Sequence, residues 1–361
     1  MENGKSFIQF SHVTKKFGDF KALDDISLDI PKGCFTTLLG PSGCGKTTLM
    51  RQLAGFSEPD EGQIYVDGKL MNGLPPFRRN TPLVFQEYAL FPHMTVYENI
   101  SYGLRLRKMS KTEIDSKVRK ILEMFTLQGM EKRFPKELSG GQQQRVAFAR
   151  ALIMDEEILL LDEPLSNLDA KLRVEVRSEL RQIQQKFGIT VIYVTHDQDE
   201  ALSMSDQIAV MRGGRIQQLG IPTEIYFHPK NHFVADFIGS VNFVEGTVVS
   251  CSDGMIHVQW KSMDFSVRYD GPEVRPGDRV EVVLRPEAIL IEKDGNEKGA
   301  GLRGTITFSS FLGRYIRYFI DVDGKSLIVD DSNPSLSGAL SGDVTLKLDL
   351  TKVHVLSGKE A

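Results

Sequence analysis

The chain has 361 residues, more than one compact core usually supports, so two domains are expected. Its net charge of −4 and its sequence pI of about 6.0 argue against a protein that binds nucleic acid chiefly through a basic face. No apolar run reaches the ~20 residues of a membrane span, and the first residues lack the pattern of a secretory signal. A soluble globular protein is therefore expected, and any contact with a membrane is expected to come through partner chains.

The first thirty residues predict an antiparallel β region, because apolar and polar residues alternate between two turn signals. The apolar positions are Phe7, Ile8, Phe10, Val13, Leu23, Ile26, Leu28 and Ile30. Phe17 follows, in a turn at residues 14–19 where the chain has no need to bury an aromatic ring. That ring could stack on a base or be a plain turn hydrophobe, and the residues alone leave both open.

Residues 40–48 match the phosphate-loop pattern G-x-x-x-x-G-K-[ST], between a predicted buried strand at Phe35–Leu39 and a predicted helix. Glycines let backbone amides approach a phosphate chain, and the helix start adds unpaired N–H groups. Lys46 is placed to reach the terminal phosphates, and the Thr47 hydroxyl is placed to ligate a magnesium ion. The predicted nucleotide cradle consists of Gly40, Pro41, Ser42, Gly43, Cys44, Gly45, Lys46, Thr47 and Thr48.

The three cysteines, Cys34, Cys44 and Cys251, are too few and too scattered for a disulfide framework or a zinc site. Cys44 is the one that lies inside the predicted cradle. A position near a helix N-terminus could lower its pKa and make the thiol reactive, but a small filler residue is the favoured interpretation.

Between the cradle and the next motif, residues 87–106 are rich in aromatic residues and methionine. They could form the core of a subdomain or a surface that docks a partner, and the sequence favours neither. Ser110 is predicted to cap an amphipathic surface helix that runs to about Leu127.

A second anion site is predicted where Leu138-Ser-Gly-Gly-Gln-Gln-Gln-Arg145 precedes an alanine-rich helix. A hydroxyl and two glycines stand there at a helix start, and N–H groups at such a start attract anions. A simple helix cap would also explain Ser139. Two glycines and three glutamines are a poor way to build a cap, so an anion site is favoured.

Two further buried strands end in residues able to do chemistry. The strand at residues 158–161 is followed by Asp162, whose carboxylate can hold hydrated magnesium, and by Glu163, which can orient and deprotonate a water. The strand at residues 190–194 is followed by Thr195 and His196. Because open parallel sheets bind ligands at the carboxyl ends of their strands, a site at this edge is predicted, with a core histidine as the alternative for His196.

The remaining chain predicts a long amphipathic helix up to Gly188, a hairpin around residues 213–214 and two short helices. From Val241 onward helical periods vanish, and short alternating strands separated by Asp-Gly and Pro-Gly turns take over. The predicted strands include residues 246–249, 255–260, 279–284, 304–308, 315–321 and 326–329. This predicts a second, all-β domain of small barrels.

The chain resembles the ATPase subunits of ABC transporters in the order of its motifs. These are the phosphate loop, Gln86, residues 138–145, 158–164 and 166–169, and His196. The Leu-Ser-Gly-Gly-Gln run is the most specific part of this resemblance. The resemblance implies an α/β phosphate-loop ATPase domain at residues 1–240, with a parallel core sheet, an antiparallel β subdomain and an inserted helical subdomain at about 88–155. The tail, residues 241–361 with its Arg285-Pro-Glu-Ala run, looks like the C-terminal OB-like domain of importer ATPases.

The resemblance also implies roles in binding ATP and Mg²⁺. Phe17 would stack on adenine, although the family more often has tyrosine there. Lys46 would hold the β- and γ-phosphates. Thr47 and Gln86 would bind Mg²⁺ directly, and Asp162 would bind it through water.

For catalysis, the resemblance implies that Glu163 is the general base and that His196 contacts the γ-phosphate and positions the attacking water. It also implies that ATP joins two copies of the chain, because one copy carries one cradle and one second anion site. Asp169 would link the two sites of such a dimer. The residues that would close over the ATP held by the other copy are Ser139, Gly140, Gly141 and Gln142.

The implied partners are a second copy of the chain, two integral-membrane permease subunits that receive residues 87–106 and, indirectly, a solute-binding protein, but no nucleic acid. The implied location is the cytoplasmic face of the cell membrane. Residues 85–96 and 188–206 look most similar to the spermidine/putrescine importer ATPase, so polyamine import is expected. Ferric-ion, phosphonate and sugar importers remain open, as does a soluble ABC ATPase that acts on ribosomes or DNA.

Overall fold

The computed structural model describes residues 6–293, 301–333 and 338–356. The chain forms two compact units, Met1–Pro222 and Thr223–Ala361. Composition changes somewhat later, near residue 241, so the two short helices that follow Gly220 fall with the β-rich unit. Within the described residues, no helix is long and apolar enough to cross a membrane.

The first unit mixes strands and helices. Its strands are β1 (Ser6–Phe17), β2 (Phe20–Pro31), β3 (Phe35–Leu39), β4 (Glu61–Val66), β5 (Lys69–Leu70), β6 (Leu83–Val84), β7 (Ile158–Asp162), β8 (Thr190–Thr195), β9 (Gln207–Arg212) and β10 (Arg215–Gly220). Its helices are α1 (Lys46–Leu53), α2 (Val96–Leu106), α3 (Lys111–Met124), α4 (Gly140–Leu152), α5 (Ala170–Phe187) and α6 (Gln198–Met204).

These strands form two sheets. The antiparallel sheet has the order β2-β1-β4-β5, which confirms the β region predicted for the first thirty residues. The second sheet has the order β10-β9-β3-β8-β7-β6, and all of its strands except β10 run parallel. The predicted α/β core, with a parallel sheet beside an antiparallel one, is therefore confirmed.

The central strands of the parallel sheet are apolar on both faces because each face packs into a different core. Leu159 and Tyr193 point into a core shared with α2, α3 and α4. Leu160 and Ile192 point into a core shared with α1 and the antiparallel sheet. A strand covered on both sides has no solvent face, so it appears in the sequence as a short continuous apolar run.

The segment at residues 87–106 divides into a buried half and an exposed half. Val96, Ile100 and Leu104, all on α2, are at most 1% exposed and belong to the core of the helical subdomain. Before α2, Glu87 and Pro92 are exposed, whereas Tyr88 is buried. The core interpretation is therefore confirmed for α2, and a docking surface before α2 stays a prediction.

Helix α3 begins where the sequence places it. The Ser110 hydroxyl accepts a hydrogen bond from the Glu113 N–H, and the Glu113 side chain accepts one from the Ser110 N–H, forming a capping box. The helix ends at Met124, three residues before the predicted end, and Leu127 is buried beyond it. The apolar spacing of the sequence continues past the end of the helix because the turn that follows also packs against the core.

The second unit is β-rich. Its helices are α7 (Pro222–Phe227) and α8 (His232–Phe237), and its strands are β11 (Asn242–Ser252), β12 (Met255–Trp260), β13 (Met263–Arg268), β14 (Arg279–Leu284), β15 (Ile289–Lys293), β16 (Leu302–Phe311), β17 (Ile316–Val322), β18 (Lys325–Asp331), β19 (Gly342–Leu348) and β20 (Val353–Leu356). They form two antiparallel sheets, β13-β12-β11-β14-β20 and β15-β19-β16-β17-β18. These curled half-barrels confirm the predicted all-β, OB-like domain.

The Arg285-Pro-Glu-Ala run has a structural explanation inside this second unit. The Arg285 side chain is almost fully buried, and its guanidinium donates hydrogen bonds to the carbonyls of Tyr226, Ala235 and Ser240. It also stacks over the Tyr226 ring, with 4.3 Å from its central carbon to the ring centroid. This one side chain ties α7 and the end of α8 to the strand region that precedes β15.

Candidate active site

The candidate site lies at the edge of the parallel sheet where β3, β8, β7 and β6 end. Because these strands are parallel, their carboxyl ends share one edge. The chain leaves β3 into the cradle, β7 at Asp162, β8 at Thr195 and β6 just before Gln86. Sequence reasoning predicted three of these strand ends as chemical positions.

The cradle has the backbone conformation that its glycines permit. Gly43 and Gly45 have φ values of 78° and 106°, in the region that favours glycine. A Cβ on Gly45 would lie 2.5 Å from the Ala22 carbonyl oxygen. Gly45 is the N-cap of α1, and no side chain of the described residues caps that helix start. The N–H groups of the first turn are therefore left for a ligand.

Lys46 is buried in the cradle, with 5% of its surface exposed. Its ammonium donates hydrogen bonds to the carbonyls of Gly40 at 2.6 Å and Pro41 at 3.0 Å. These bonds hold the charge at the mouth of the loop.

The Cys44 thiol is also buried, at 4% exposure. Burial raises its pKa, and the nearby Lys46 ammonium only partly opposes this rise. The thiol is therefore held in its neutral form, which favours a small filler residue over a reactive nucleophile.

Two oxygen donors meet between α1 and β7. The Thr47 hydroxyl donates a hydrogen bond of 2.9 Å to Oδ1 of Asp162. Burial raises the pKa of Asp162, and the Thr47 hydrogen bond acts in the opposite direction. A hydroxyl and a carboxylate are the hard oxygen ligands that Mg²⁺ prefers, so this pair fits a magnesium ion.

Gln86 lies at the same edge, two residues after the end of β6, and it is exposed. Its backbone carbonyl accepts a hydrogen bond of 3.0 Å from the Asn167 side chain. The loop that carries Gln86 is thus tied to the turn that precedes Asp169.

Glu163 has an unusual backbone. Its φ of 46° is in the left-handed region, which costs energy for any residue with a Cβ. Its N–H donates to the Val194 carbonyl at 3.0 Å, and its carbonyl accepts from the Ser166 hydroxyl at 2.9 Å. Bonds on both sides therefore hold a strained conformation, which is typical of functional positions.

The strained backbone of Glu163 brings its carboxylate to His196. Oε2 of Glu163 lies 3.1 Å from Nδ1 of His196. The His196 side chain is 56% exposed, so it is not a core histidine, whereas that of Glu163 is 23% exposed. The two residues predicted for catalysis are therefore direct neighbours.

Sequence reasoning missed the residues that support His196. Glu200, 3% exposed, accepts hydrogen bonds of 2.7 Å from the Thr195 hydroxyl and from the Tyr193 hydroxyl. Burial raises the pKa of Glu200, while these two hydrogen bonds favour its charged form. The only local signal is that Glu200 lies three residues after Asp197, a helix-capping spacing.

Arg173 connects two of the loops. Its guanidinium donates to the Leu168 carbonyl at 3.0 Å and lies 3.3 Å from the Asp197 carboxylate. It therefore joins the turn before Asp169 to the turn after His196, and no sequence pattern marks it.

The second predicted anion site forms a cluster around the starts of α4 and α5. Ser139 caps α4, and its hydroxyl and the Gln142 side chain form a capping box. The simple-cap explanation is thus observed. Gly141 has a separate reason, since a Cβ there would lie 2.7 Å from a Leu172 methyl. The Asp169 carboxylate caps α5 by accepting from the Leu172 N–H at 2.9 Å.

Phe17 lies at the end of β1 rather than in the turn itself, and it is 57% exposed. The Lys15 ammonium is 5.7 Å from the centroid of its ring. The ring is therefore accessible to a stacking partner.

Comparison with known proteins agrees with this geometry. The ABC transporter family matches residues 23–166, and the TOBE domain matches residues 282–356. The chain is 45% identical, over 350 residues, to the Fe(3+) ions import ATP-binding protein FbpC of Brucella suis biovar 1 (strain 1330). That match covers 97% of this chain and 98% of the relative.

Solved structures agree as well. The cbiO1 protein of Clostridium perfringens, part of the ABC transporter complex cbiONQ, has a TM-score of 0.57 and 31% identity, covering 61% of this chain and 90% of that one. A dimeric post-hydrolysis state of the ATP-binding cassette MJ0796, bound to ADP and Pi, has a TM-score of 0.54 and 32% identity, covering 60% of this chain and 98% of that one. With a relative this similar along nearly its whole length, the chain belongs to the ATP-binding subunits of ABC transporters, of the importer type, and is an ATPase whose hydrolysis of ATP is coupled to transport.

Proposed function

We propose that this chain drives the import of ferric ion. The observation that carries the proposal is the 45% identity, over 97% of the chain, to an ATP-binding protein for Fe(3+) import. The comparisons give no support to the expected polyamine cargo, which rested on residues 85–96 and 188–206. In the proposed transporter those residues would face nucleotide and membrane partners, so they would hold little information about the molecule that is carried.

In the proposed mechanism, the cradle binds the phosphates of ATP. The uncapped start of α1 offers N–H groups, and Lys46 would exchange its bonds to the Gly40 and Pro41 carbonyls for the β- and γ-phosphates. Burial strengthens this attraction because little solvent screens the ammonium. The exposed ring of Phe17 would stack on adenine.

Thr47 and Gln86 would bind Mg²⁺ directly, and Asp162 would bind it through water. The 2.9 Å contact between the hydroxyl and the carboxylate supports this assignment. When bound, the ion would neutralise charge on the phosphates during their transfer. Few protein ligands suffice because Mg²⁺ commonly shares its sites with water and substrate phosphates.

Glu163 would accept the proton of the attacking water. Hydrogen bonds on both sides of Glu163 hold its strained backbone and so fix the direction of its carboxylate, as a general base requires. His196, 3.1 Å away, would hold the carboxylate in place and position the water against the γ-phosphate. The Thr195 hydroxyl donates to Glu200 and accepts from the Asp197 N–H, so it restrains the backbone beside His196.

The proposed working unit is a dimer docked on two permease subunits. Ser139, Gly140, Gly141 and Gln142 would close over the ATP of the second copy, with Asp169 between the two sites. The dimeric state of the MJ0796 cassette supports this arrangement, and the exposed residues before α2 are the proposed docking surface.

Uptake measurements test the cargo. In cells whose only copy of the gene carries Glu163→Gln, uptake of radiolabelled ferric iron should fall about 100-fold, because a general base commonly contributes a rate factor of at least this size. Putrescine uptake should be unchanged. Glu175→Gln is the matched control, because Glu175 is an exposed carboxylate on α5. Loss of putrescine uptake with intact iron uptake would reverse the assignment.

Light scattering tests the mechanism independently of the cargo. The Glu163→Gln protein with ATP and magnesium should shift from monomer to dimer mass, because it binds ATP without hydrolysing it. Hydrolysis at the rate of the unaltered chain would remove Glu163 from the role of base. An unchanged mass would instead leave either a dimer held by the β-rich unit or a wrong model of shared sites.

A further inference from the structure

The loop that follows Gln86 contains two adjacent residues in a costly conformation. Tyr88 and Ala89 have φ values of 60° and 46°, and neither is a glycine. The left-handed region crowds Cβ against the backbone, so two such residues in succession persist only when contacts hold them. The Tyr88 hydroxyl adds a second cost, since it is buried without a hydrogen-bond partner among the described residues.

One side chain holds this turn. The Arg150 guanidinium donates hydrogen bonds to the Ala89 carbonyl at 2.8 Å and to the Tyr88 carbonyl at 3.0 Å. It also lies over the Phe91 ring, with 5.3 Å from its central carbon to the ring centroid. The planar guanidinium thus bridges the carbonyls of the two strained residues, which a lysine ammonium would do less well.

The other end of the loop is fixed separately. Asn99, fully buried on α2, accepts a hydrogen bond from the Phe91 N–H and donates to the Phe91 carbonyl. The loop therefore has a fixed end at Phe91 and a strained turn at Tyr88 and Ala89. Between these contacts and Gln86, the side chains of Glu87 and Ala89 are exposed.

Arg150 lies in the last turn of α4, and the same helix begins at Gly140, capped by Ser139. α4 is one continuous helix of 13 residues, a stiff element with Ser139 at its start and Arg150 in its last turn. The bonds of Arg150 therefore link the Tyr88 and Ala89 carbonyls to the helix that Ser139 caps.

We propose that Arg150 is a positioning residue that holds the turn at Tyr88 and Ala89 in its strained form and couples the Gln86 loop to Ser139 at the start of α4. This inference rests on the proposed roles of Gln86 and of residues 139–142.

The test combines removal of the arginine with relief of the strain. Arg150→Met removes both hydrogen bonds, and Arg150→Lys keeps the charge but not the bridge. Ala89→Gly lets the turn form without the Cβ penalty. Arg105→Met is the matched control, because Arg105 is an arginine of the same subdomain whose guanidinium bonds to Ser101 on its own helix.

We expect Arg150→Met to lower kcat for ATP hydrolysis about 10-fold, a size typical of coupling residues, with KM for ATP changed less than about 2-fold. Arg150→Lys should lie in between, and Arg105→Met should match the unaltered chain. When Ala89→Gly is added to Arg150→Met, at least half of the drop in log kcat should be recovered. A purely structural role in packing α4 would not be rescued by a glycine in the loop.

Hydrogen exchange without nucleotide provides a readout that does not depend on catalysis. Arg150→Met should speed amide exchange at residues 86–91 and at 140–146, and Ala89→Gly should slow it again at both segments. Faster exchange at the loop alone would overturn the coupling, and no rescue by Ala89→Gly would overturn the role of the strain. An unaltered chain without ATPase activity would instead contradict the proposed function.

Discussion

The cradle and the start of α4 are both helix N-termini rich in glycine, yet their first turns differ. Gly45 begins α1 with no side-chain cap from the described residues, so the N–H groups of that turn are free for phosphate. At α4, the Ser139 hydroxyl and the Gln142 side chain already form a capping box. The cradle thus leaves its first-turn N–H groups open to an anion, whereas in the proposed dimer α4 would offer its hydroxyl and glycines to the ATP of the second copy.

This contrast changes the meaning of the glycines. In the cradle, Gly45 is required by its φ of 106° and by the nearby Ala22 carbonyl. At α4, Gly140 has an ordinary helical backbone, and a Cβ there would meet a Leu168 methyl at 3.6 Å, a normal contact distance. Sequence alone makes both segments look like glycine-rich anion loops, but only one has the conformation of such a loop.

The largest expected effect separates the two glycines by stability. Gly45→Ala should lower the free energy of unfolding of the first unit by about 3 kcal/mol, from left-handed strain plus overpacking. Gly140→Ala should change it by less than about 1 kcal/mol, since alanine favours helix. Denaturant unfolding, followed by far-UV circular dichroism, measures both free energies. Equal losses would show that the two loops are built alike.

The next effect concerns nucleotide affinity. Lys46→Met should weaken binding of ATP about 100-fold, because a buried, charge-assisted contact to phosphate is lost. Ser139→Asn should leave the affinity of the monomer unchanged. Titration with a fluorescent ATP analogue measures both, and a large loss of affinity in Ser139→Asn would contradict the separation of the two anion sites.

A smaller effect is expected on turnover from the same serine variant. Ser139→Asn keeps an N-cap of similar strength but removes the hydroxyl, so the melting temperature should barely change. The kcat should nevertheless fall by about 10-fold, the loss of a hydrogen bond to charged phosphate. Steady-state ATPase assays show this. An unchanged kcat would leave Ser139 with the role of a helix cap alone.

The smallest effect is expected at Cys44. Because burial raises the pKa of this thiol, iodoacetamide at pH 8 should alkylate the exposed Cys251 well before Cys44. Raising the pH should speed the reaction at Cys44 as the thiolate forms. Cys44→Ala should leave ATP affinity within about 2-fold, as expected of a filler residue. Faster labelling of Cys44 than of Cys251 would indicate that the helix N-terminus dominates over burial.

Much of the fold follows from local patterns. The sequence predicts β3, β12 and β14 with the bounds that the structure shows, and it predicts the cap of α3 at Ser110. It does not predict β13, β15, β19 or β20. β15, β19 and β20 are defined by their pairing with strands distant in the chain, which no local period reveals, whereas β13 pairs with the adjacent β12.

The candidate site divides in the same way. The sequence by itself determined the cradle, the acidic pair after β7 and the histidine after β8, because glycine, a short apolar run and a following polar residue are local signals. Only the tertiary structure decided that Glu163 has a strained backbone beside His196, that Glu87 and Pro92 are exposed while α2 is core, and that Arg150 bonds to Tyr88 and Ala89. These features depend on hydrogen bonds and packing between residues far apart in sequence, and such contacts exist only once the chain has folded.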